Sequence, residues 1–175
     1  MQQQRTSGTF EQVVLPHLDA AYNLARWLVR REHDAEDVVQ EACLRAFNAF
    51  AQFQGGDARC WLLTIVRNTC YTWLTRNRKE TPITSFDEAL HDAATHALSP
   101  AIILQQRDDQ DAIKRAIDNL PVEFREVLIL REFEGSSYQQ IVSVADLPVG
   151  TVMSRLARAR LRLGQDMRVQ KLTEA

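Results

Sequence analysis

Apolar residues recur along this chain at spacings of three and four, and no stretch of useful length alternates strictly between polar and apolar. The first pattern belongs to helices buried along one face, whereas strict alternation marks a half-buried strand. Val14, Leu18, Ala21, Ala25 and Leu28 predict a helix over 9–31. Val38, Val39, Ala42, Phe47 and Phe50 predict a second over 35–52, with Asp34 as its N-cap and Glu36 and Asp37 in a first turn whose dipole favours acids. The paired glycines of QFQGGDA (52–58) break the pattern. Trp61, Leu62, Ile65, Val66, Thr69 and Trp73 then predict a third helix over 58–78. Three helices of this length enclose one core, so 9–79 is expected to form a first domain.

From 80 to 99 the periodicity fades. This stretch holds Pro82, several Ser and Thr, and the acids Asp87, Glu88 and Asp92, and no Lys or Arg occurs from 80 to 106. A flexible acidic linker is expected here. A second domain, 100–170, opens at Ser99-Pro100, an N-cap followed by proline at the first helical position. Its first helix reaches Leu120, and Pro121 starts another. That helix carries Phe124, Val127, Leu128, Leu130 and Phe133 as an apolar stripe, and Gly135 is placed to end it. Ser137 to Gln140 is a capping box before a short helix to Val144, ADLP (145–148) is a turn, and a last helix spans 149–167. The expected fold class is all-α: two small helical domains joined by a flexible linker, the C-terminal one a helix-turn-helix.

Charge changes the picture more than composition does. Hydrophobic residues make up 45% and charged residues 25% of 175, as in an ordinary globular protein, and the formal net charge is −2. Yet Arg67, Arg76, Arg78 and Lys79 fall within 67–79 with no acid among them, and 153–171 holds six basic residues against Asp166 alone. A near-neutral chain with two basic clusters is acidic elsewhere, which implies two kinds of partner. Cys43, Cys60 and Cys70 form no CxxC pair and read as buried, reduced thiols. His91 and His96 have no cysteine near them, so neither a metal site nor a cofactor is expected. The first residues, MQQQRTSGTF, lack the apolar core of a signal peptide. No apolar run approaches the ~20 residues that cross a bilayer, so a cytoplasmic protein without membrane insertion is expected.

Residues 137–163, SYQQIVSVADLPVGTVMSRLARARLRL, combine a short capped helix, a tight turn and a longer basic helix. In a helix-turn-helix this arrangement offers the N-terminal half of the second helix to the major groove. Ile141, Val144, Leu147, Val152 and Leu156 are expected inside. Thr151 is small enough for close approach, and Met153, Ser154, Arg155 and Arg158 are expected on the outer side, where arginine forks suit guanine edges and phosphates. Arg160, farther along, suits phosphate. A solvated basic face in a helical bundle has the same pattern, and repressors, activators and initiation factors all use such a unit.

LPVEFREVLILREFEGSSYQQI followed by LPVGTVMSRLARARLRL resembles region four of the extracytoplasmic-function (ECF) sigma factors. DAEDVVQEACLRAF (34–47) and ARCWLLTIVRNTCYTWLTRNRKE (58–80) resemble region two of the same family. The resemblance spans about 10–80 and 105–165, and two motif sets in the right order are far more specific than either alone. It implies an RNA polymerase sigma factor that binds core polymerase, directs initiation at promoter DNA, does no covalent chemistry and is held by an anti-sigma factor. It implies polymerase docking through Asp37, Gln40, Glu41 and Leu44, and spacing alone puts Asp37 and Glu41 on one helix face. It implies contacts to the −10 element from Arg67, Asn68, Tyr71, Arg76, Arg78 and Lys79. Phe53 and Gln54 stand in the loop where the family captures a base flipped out of the stack. The last helix would read the −35 element, although Met153 stands where the family commonly has a basic residue. The acidic linker would thread the polymerase cleft, its carboxylates standing in for phosphates.

Without the resemblance, the residues also fit a stand-alone helix-turn-helix activator or repressor with an N-terminal sensing bundle, or a helical adaptor that binds only protein. An enzyme fits least, because the chain has no Gly-rich phosphate loop, no HExxH and no paired nucleophile and base.

Overall fold

A computed structural model describes residues 8–78 and 100–173, with side chains described over 8–78 and 109–168. Every regular element among them is helical. The first expected helix is in fact two. α1 (Phe10–Val14) starts at Thr9, whose hydroxyl accepts from the Gln12 N–H while the Gln12 side chain accepts from the Thr9 N–H. A 3-10 turn over Leu15–His17 follows, and then α2 (Leu18–Val29). Pro16 is the cause: it has no N–H to donate and is tolerated only in a first turn. The apolar spacing runs straight across this break, which is why periodicity alone conceals it.

Arg30 (φ 70) ends α2 in the left-handed region, and α3 (Glu32–Ala49) begins two residues later. It begins ahead of the expected Asp34 cap. Arg31 takes the cap position with no side-chain cap, and Asp34 joins Glu32 in the first turn, where the helix dipole favours acids. A 3-10 turn over Phe50–Gln52 leads into the loop, where Gly55 (φ 89) and Gly56 (φ 98) adopt backbone that other residues rarely take. The chain returns at Asp57, which caps α4 (Ala58–Asn77) by accepting from the Cys60 N–H at 2.9 Å. α2, α3 and α4 pack on one another around Leu24, Leu28, Ala42, Leu62, Leu63 and Val66, all buried. Cys60 and Cys70 lie in this core, and burial pushes both thiols up to about 12.

The second module comprises α5 (Pro100–Asp118), α6 (Val122–Leu128), a widened π turn over Ile129–Phe133, α7 (Tyr138–Ala145) and α8 (Val149–Thr173). The expected Ser99 cap, the linker 80–99 and Lys79 lie outside the described residues. In the π turn the Glu134 N–H donates to the Ile129 carbonyl, five residues back, at 3.0 Å. Ile129 and Leu130 thereby enter the core, while Phe133 turns half out and sets its ring 5.4 Å from that of Trp27 in α2. Gly135 (φ 63) ends the helix. Ser137 and Gln140 then form the expected capping box, with reciprocal bonds of 2.8 and 3.1 Å.

The two modules lie face to face, α2 and α4 against α6, the π turn and α7. Arg125 of α6 is buried in the seam. Its guanidinium donates to the carbonyls of Asp118 (2.9 Å), Leu120 (3.1 Å) and Leu28 (3.3 Å), so it ties the C-terminal ends of α5 and α2 together. Its Nε has no partner among the described residues. Burial, reinforced by the charge of Arg30, lowers its pKa to about 10. No helix among the described residues is long and apolar enough to cross a membrane. Leu130 is fully buried, so Leu130→Ala is expected to lower unfolding stability by about 2–5 kcal/mol in a urea titration.

Candidate functional site

Three surfaces carry the residues singled out from sequence. The first is the helix-turn-helix of α7 and α8. α7 ends at Asp146 (φ 52), a left-handed residue that turns the chain into Leu147-Pro148. Ile141, Val144, Val152 and Leu156 are buried as expected, and Leu147 packs against the core from its edge. They fix the roll of α8, so that Met153, Ser154 and Arg158 face outward together while Thr151 and Arg155 are half-buried. Met153 is 53% exposed, a large apolar side chain left in water beside Ser154 and Arg158. Arg160 is also exposed, but its guanidinium donates to Glu132 of the π turn at 2.5 and 3.2 Å.

The second surface is the basic strip of α4. Asn68, Arg76 and Arg78 are exposed. Arg67 and Tyr71 form one unit, the guanidinium carbon 4.0 Å from the ring centroid. Both reach across the seam to Glu126 of α6, which is fully buried. Arg67 Nε donates to Oε1 at 2.5 Å, Arg67 Nη2 to Oε2 at 3.4 Å, and the Tyr71 hydroxyl to Oε2 at 2.6 Å. Burial, and then the charge and hydrogen bond of Glu126, push the Tyr71 hydroxyl well above its ordinary range. Burial would lower the Arg67 guanidinium, but its bond to Glu126 and the charge behind it carry it above its ordinary value. Beside this cluster Arg59 donates to the Glu134 carboxylate (2.9 Å) and carbonyl (2.7 Å), and Gln140 donates to Asp57 (2.9 Å).

Phe53, on the glycine loop, faces inward. It is buried, its ring centroid 4.7 Å from Trp61 and 6.2 Å from Phe50, because the loop folds its one large apolar side chain back onto the aromatic end of the module. Its neighbour Gln54 is exposed. Glu126, Arg59 and Glu134 were not singled out from sequence. A signal for the first exists: Arg125-Glu126 is a charged pair set inside the apolar run VEFREVLIL, where burial demands partners.

The third surface is the outer face of α3. Asp37 is exposed and lies 3.7 Å from His33, and Glu41 pairs with Arg45 one turn on. Gln40 and Leu44 share an open groove of about 580 Å³ with Phe10, Leu18, Val39, Cys43 and Phe47. Leu44 and Phe47 are 66% and 61% exposed, so an apolar strip flanked by acids is left uncovered on this module. Among the described residues no group of His, Cys, Asp and Glu is placed to hold a metal ion.

An open helix-turn-helix on one module thus accompanies a basic strip and a separate acidic and apolar face on the other, within an all-helical protein. Comparison with known proteins makes this specific. A family model described as Sigma-70 region 2 matches residues 13–80, and one described as Sigma-70, region 4 matches residues 110–163. The RNA polymerase sigma-H factor of Pseudomonas aeruginosa is 35% identical over 159 residues, 86% of this chain and 82% of that protein. The ECF RNA polymerase sigma-E factor of Escherichia coli is 36% identical over 146 residues, 79% of this chain and 75% of that protein. Among solved structures, the sigma factor RpoE in complex with the anti-sigma factor NepR from Bartonella quintana superposes with a TM-score of 0.74 at 30% identity, covering 91% of this chain and 97% of that one. CnrH, solved in complex with the cytosolic domain of CnrY, gives 0.64 at 26% identity and covers 89% and 85%. The chain belongs to the extracytoplasmic-function group of the sigma-70 family of RNA polymerase sigma factors.

Proposed function

We propose that this factor docks on core RNA polymerase through α3 and holds a promoter at two places, the opened −10 element on α4 and the −35 duplex on α8. In this reading 9–79 is region two, 80–99 an acidic linker through the polymerase cleft, and 100–170 region four. The observation that carries it is the outward set of Met153, Ser154 and Arg158 on a helix whose opposite side is locked in the core. Arginine there supplies a fork for base edges or phosphates, and exposed Met153 supplies an apolar contact of the kind a thymine methyl takes. Thr151, Ser154 and Arg155 complete the −35 face, and Arg160 meets phosphate once it leaves Glu132. On the first module Arg67, Asn68, Tyr71, Arg76, Arg78 and Lys79 hold the strand, and Gln54 offers an edge hydrogen bond to a flipped base.

The apolar groove flanked by Asp37, Gln40, Glu41 and Leu44 suits a basic, amphipathic helical partner, which is the character required of the polymerase element. The factor performs no covalent step. It lowers the cost of strand opening by binding the open strand in preference to the duplex. Of two structural relatives, one was solved with the anti-sigma factor NepR and the other with the cytosolic domain of CnrY, and a cytoplasmic anti-sigma contact is proposed here too.

Run-off transcription on genomic fragments with purified core polymerase tests the whole reading: start-site selectivity that depends on the added chain is expected, and its absence would refute the proposal. In that assay Arg155→Ala and Arg158→Ala are expected to weaken −35-dependent initiation while leaving core binding intact. Loss of one phosphate contact at Arg158 should reduce the slope of log affinity against log salt by about 1; an unchanged slope rules that role out. Asp37→Lys combined with Glu41→Lys is expected to abolish co-purification with core polymerase, and full retention would exclude the α3 face.

A further inference from the structure

The outward face of α8 carries less hydrogen-bonding capacity than base-edge readout ordinarily uses. Val149, Met153 and Ala157 are all exposed and stand four residues apart, so they line one side of the helix over its first turns. Val149 is 43% exposed and Met153 53%. Gly150 lies beside them. A Cβ added there would meet nothing within 4 Å, so packing inside the chain does not require the glycine, and its bare backbone leaves room for close approach. The nearby polar groups are partly spent. The Ser154 hydroxyl donates to the Thr151 carbonyl at 3.1 Å, and Thr151 and Arg155 are half-buried. Arg158, on the next turn, is the exposed fork. Val152 and Leu156, buried on the opposite side, hold α8 in this roll.

Resting on the reading of α8 as the −35 helix, we infer that this factor selects thymine in the −35 duplex by its C5 methyl group, with Met153 as the residue that covers the methyl and Val149 beside it. The major groove presents donors, acceptors and one apolar group, and that group is the thymine methyl. A thioether offers only a weak acceptor, so Met153 gains by meeting an apolar surface and shedding the water on both. Its unbranched chain adapts to the shape it meets. Val149 and Met153 are separated by about 6 Å along the helix, near two base-pair steps of about 3.4 Å each, so the stripe spans neighbouring base pairs. Charge favours DNA as the occupant. From 147 to 165 the chain has no acid and four basic residues, Arg155, Arg158, Arg160 and Arg162. An apolar stripe set in a positive field suits a polyanion with methyl groups in its groove. The labour is then divided: arginines hold phosphates or guanine edges, and Met153 distinguishes thymine by an apolar contact that hydrogen-bond readout does not make.

Deoxyuridine in place of thymidine removes the methyl and keeps every donor and acceptor, so it tests this directly. The probe is a promoter that run-off transcription with this factor identifies, resynthesised with deoxyuridine at each thymidine of the −35 duplex in turn. It is bound to holoenzyme assembled from core polymerase and the full-length chain, and affinity is measured by competition against the unmodified promoter. Wild-type holoenzyme is expected to lose about fourfold in affinity at the position whose methyl Met153 covers. Met153→Ala, a change at an exposed position, is expected to bind the unmodified promoter more weakly and to be indifferent to the replacement. A −35 duplex without thymine, or wild-type affinity unchanged by deoxyuridine at every position, overturns the proposal. A deoxyuridine penalty that persists undiminished in Met153→Ala overturns it too, because another residue then covers the methyl. If deoxyuridine has no effect and Met153→Ala lowers co-purification with core polymerase, the stripe is a protein contact and methyl readout falls. The −35 reading of α8 fails by a different result: unimpaired initiation when Arg155→Ala and Arg158→Ala are combined removes that role and the methyl readout with it.

Discussion

A carboxylate removed from water must find cations or donors, and Glu126 finds them in the other half of the molecule. Much else in the arrangement follows from that requirement. Because Glu126 sits on α6 and its partners on α4, the two modules are held in register across a seam whose buried apolar core is continuous through both. Its sequence neighbour Arg125 acts in the same way through backbone carbonyls of α2 and α5. Adjacent charges of opposite sign, both buried, Glu126 answered by the first module and Arg125 by carbonyls of both, give the second module one seat instead of many.

The same seam explains why the two DNA-facing surfaces differ. The outward side of α8 points away from the first module and keeps Met153, Ser154 and Arg158 in solvent. The α4 strip is divided: Asn68, Arg76 and Arg78 are open, and Arg67 and Tyr71 are half-buried and bonded to Glu126. Local devices set up each helix before the seam forms. Asp57 caps α4 and its carboxyl is held below the usual range by the Cys60 N–H, with help from Gln140. Ser137 and Gln140 box the start of α7, and Gly135 and Asp146 turn the chain at either end of it.

What was legible in the amino-acid string was whatever depends on neighbours three or four residues away. The α4 start at Ala58, the Ser137–Gln140 box, the Gly135 stop and the buried side of the helix-turn-helix are all of this kind. Errors arose where a local signal was outvoted or diluted. Pro16 splits a helix whose apolar spacing continues unbroken, and Asp34 is displaced from the cap because α3 starts as soon as Arg30 has turned. The π turn at Ile129–Phe133 carries no distinguishing residue, yet it moves Phe133 from the apolar stripe to the seam.

The string by itself determined the helices, their inner faces, the two basic clusters and the family resemblance, because periodicity, caps and motif order are properties of short segments. Only the tertiary structure decided that Phe53 lies inside, that Arg160 leans on Glu132, and that Arg67 and Tyr71 close on a carboxylate more than fifty residues away. Those outcomes depend on which desolvated charge meets which donor once distant helices pack, and no spacing rule along a chain records that choice.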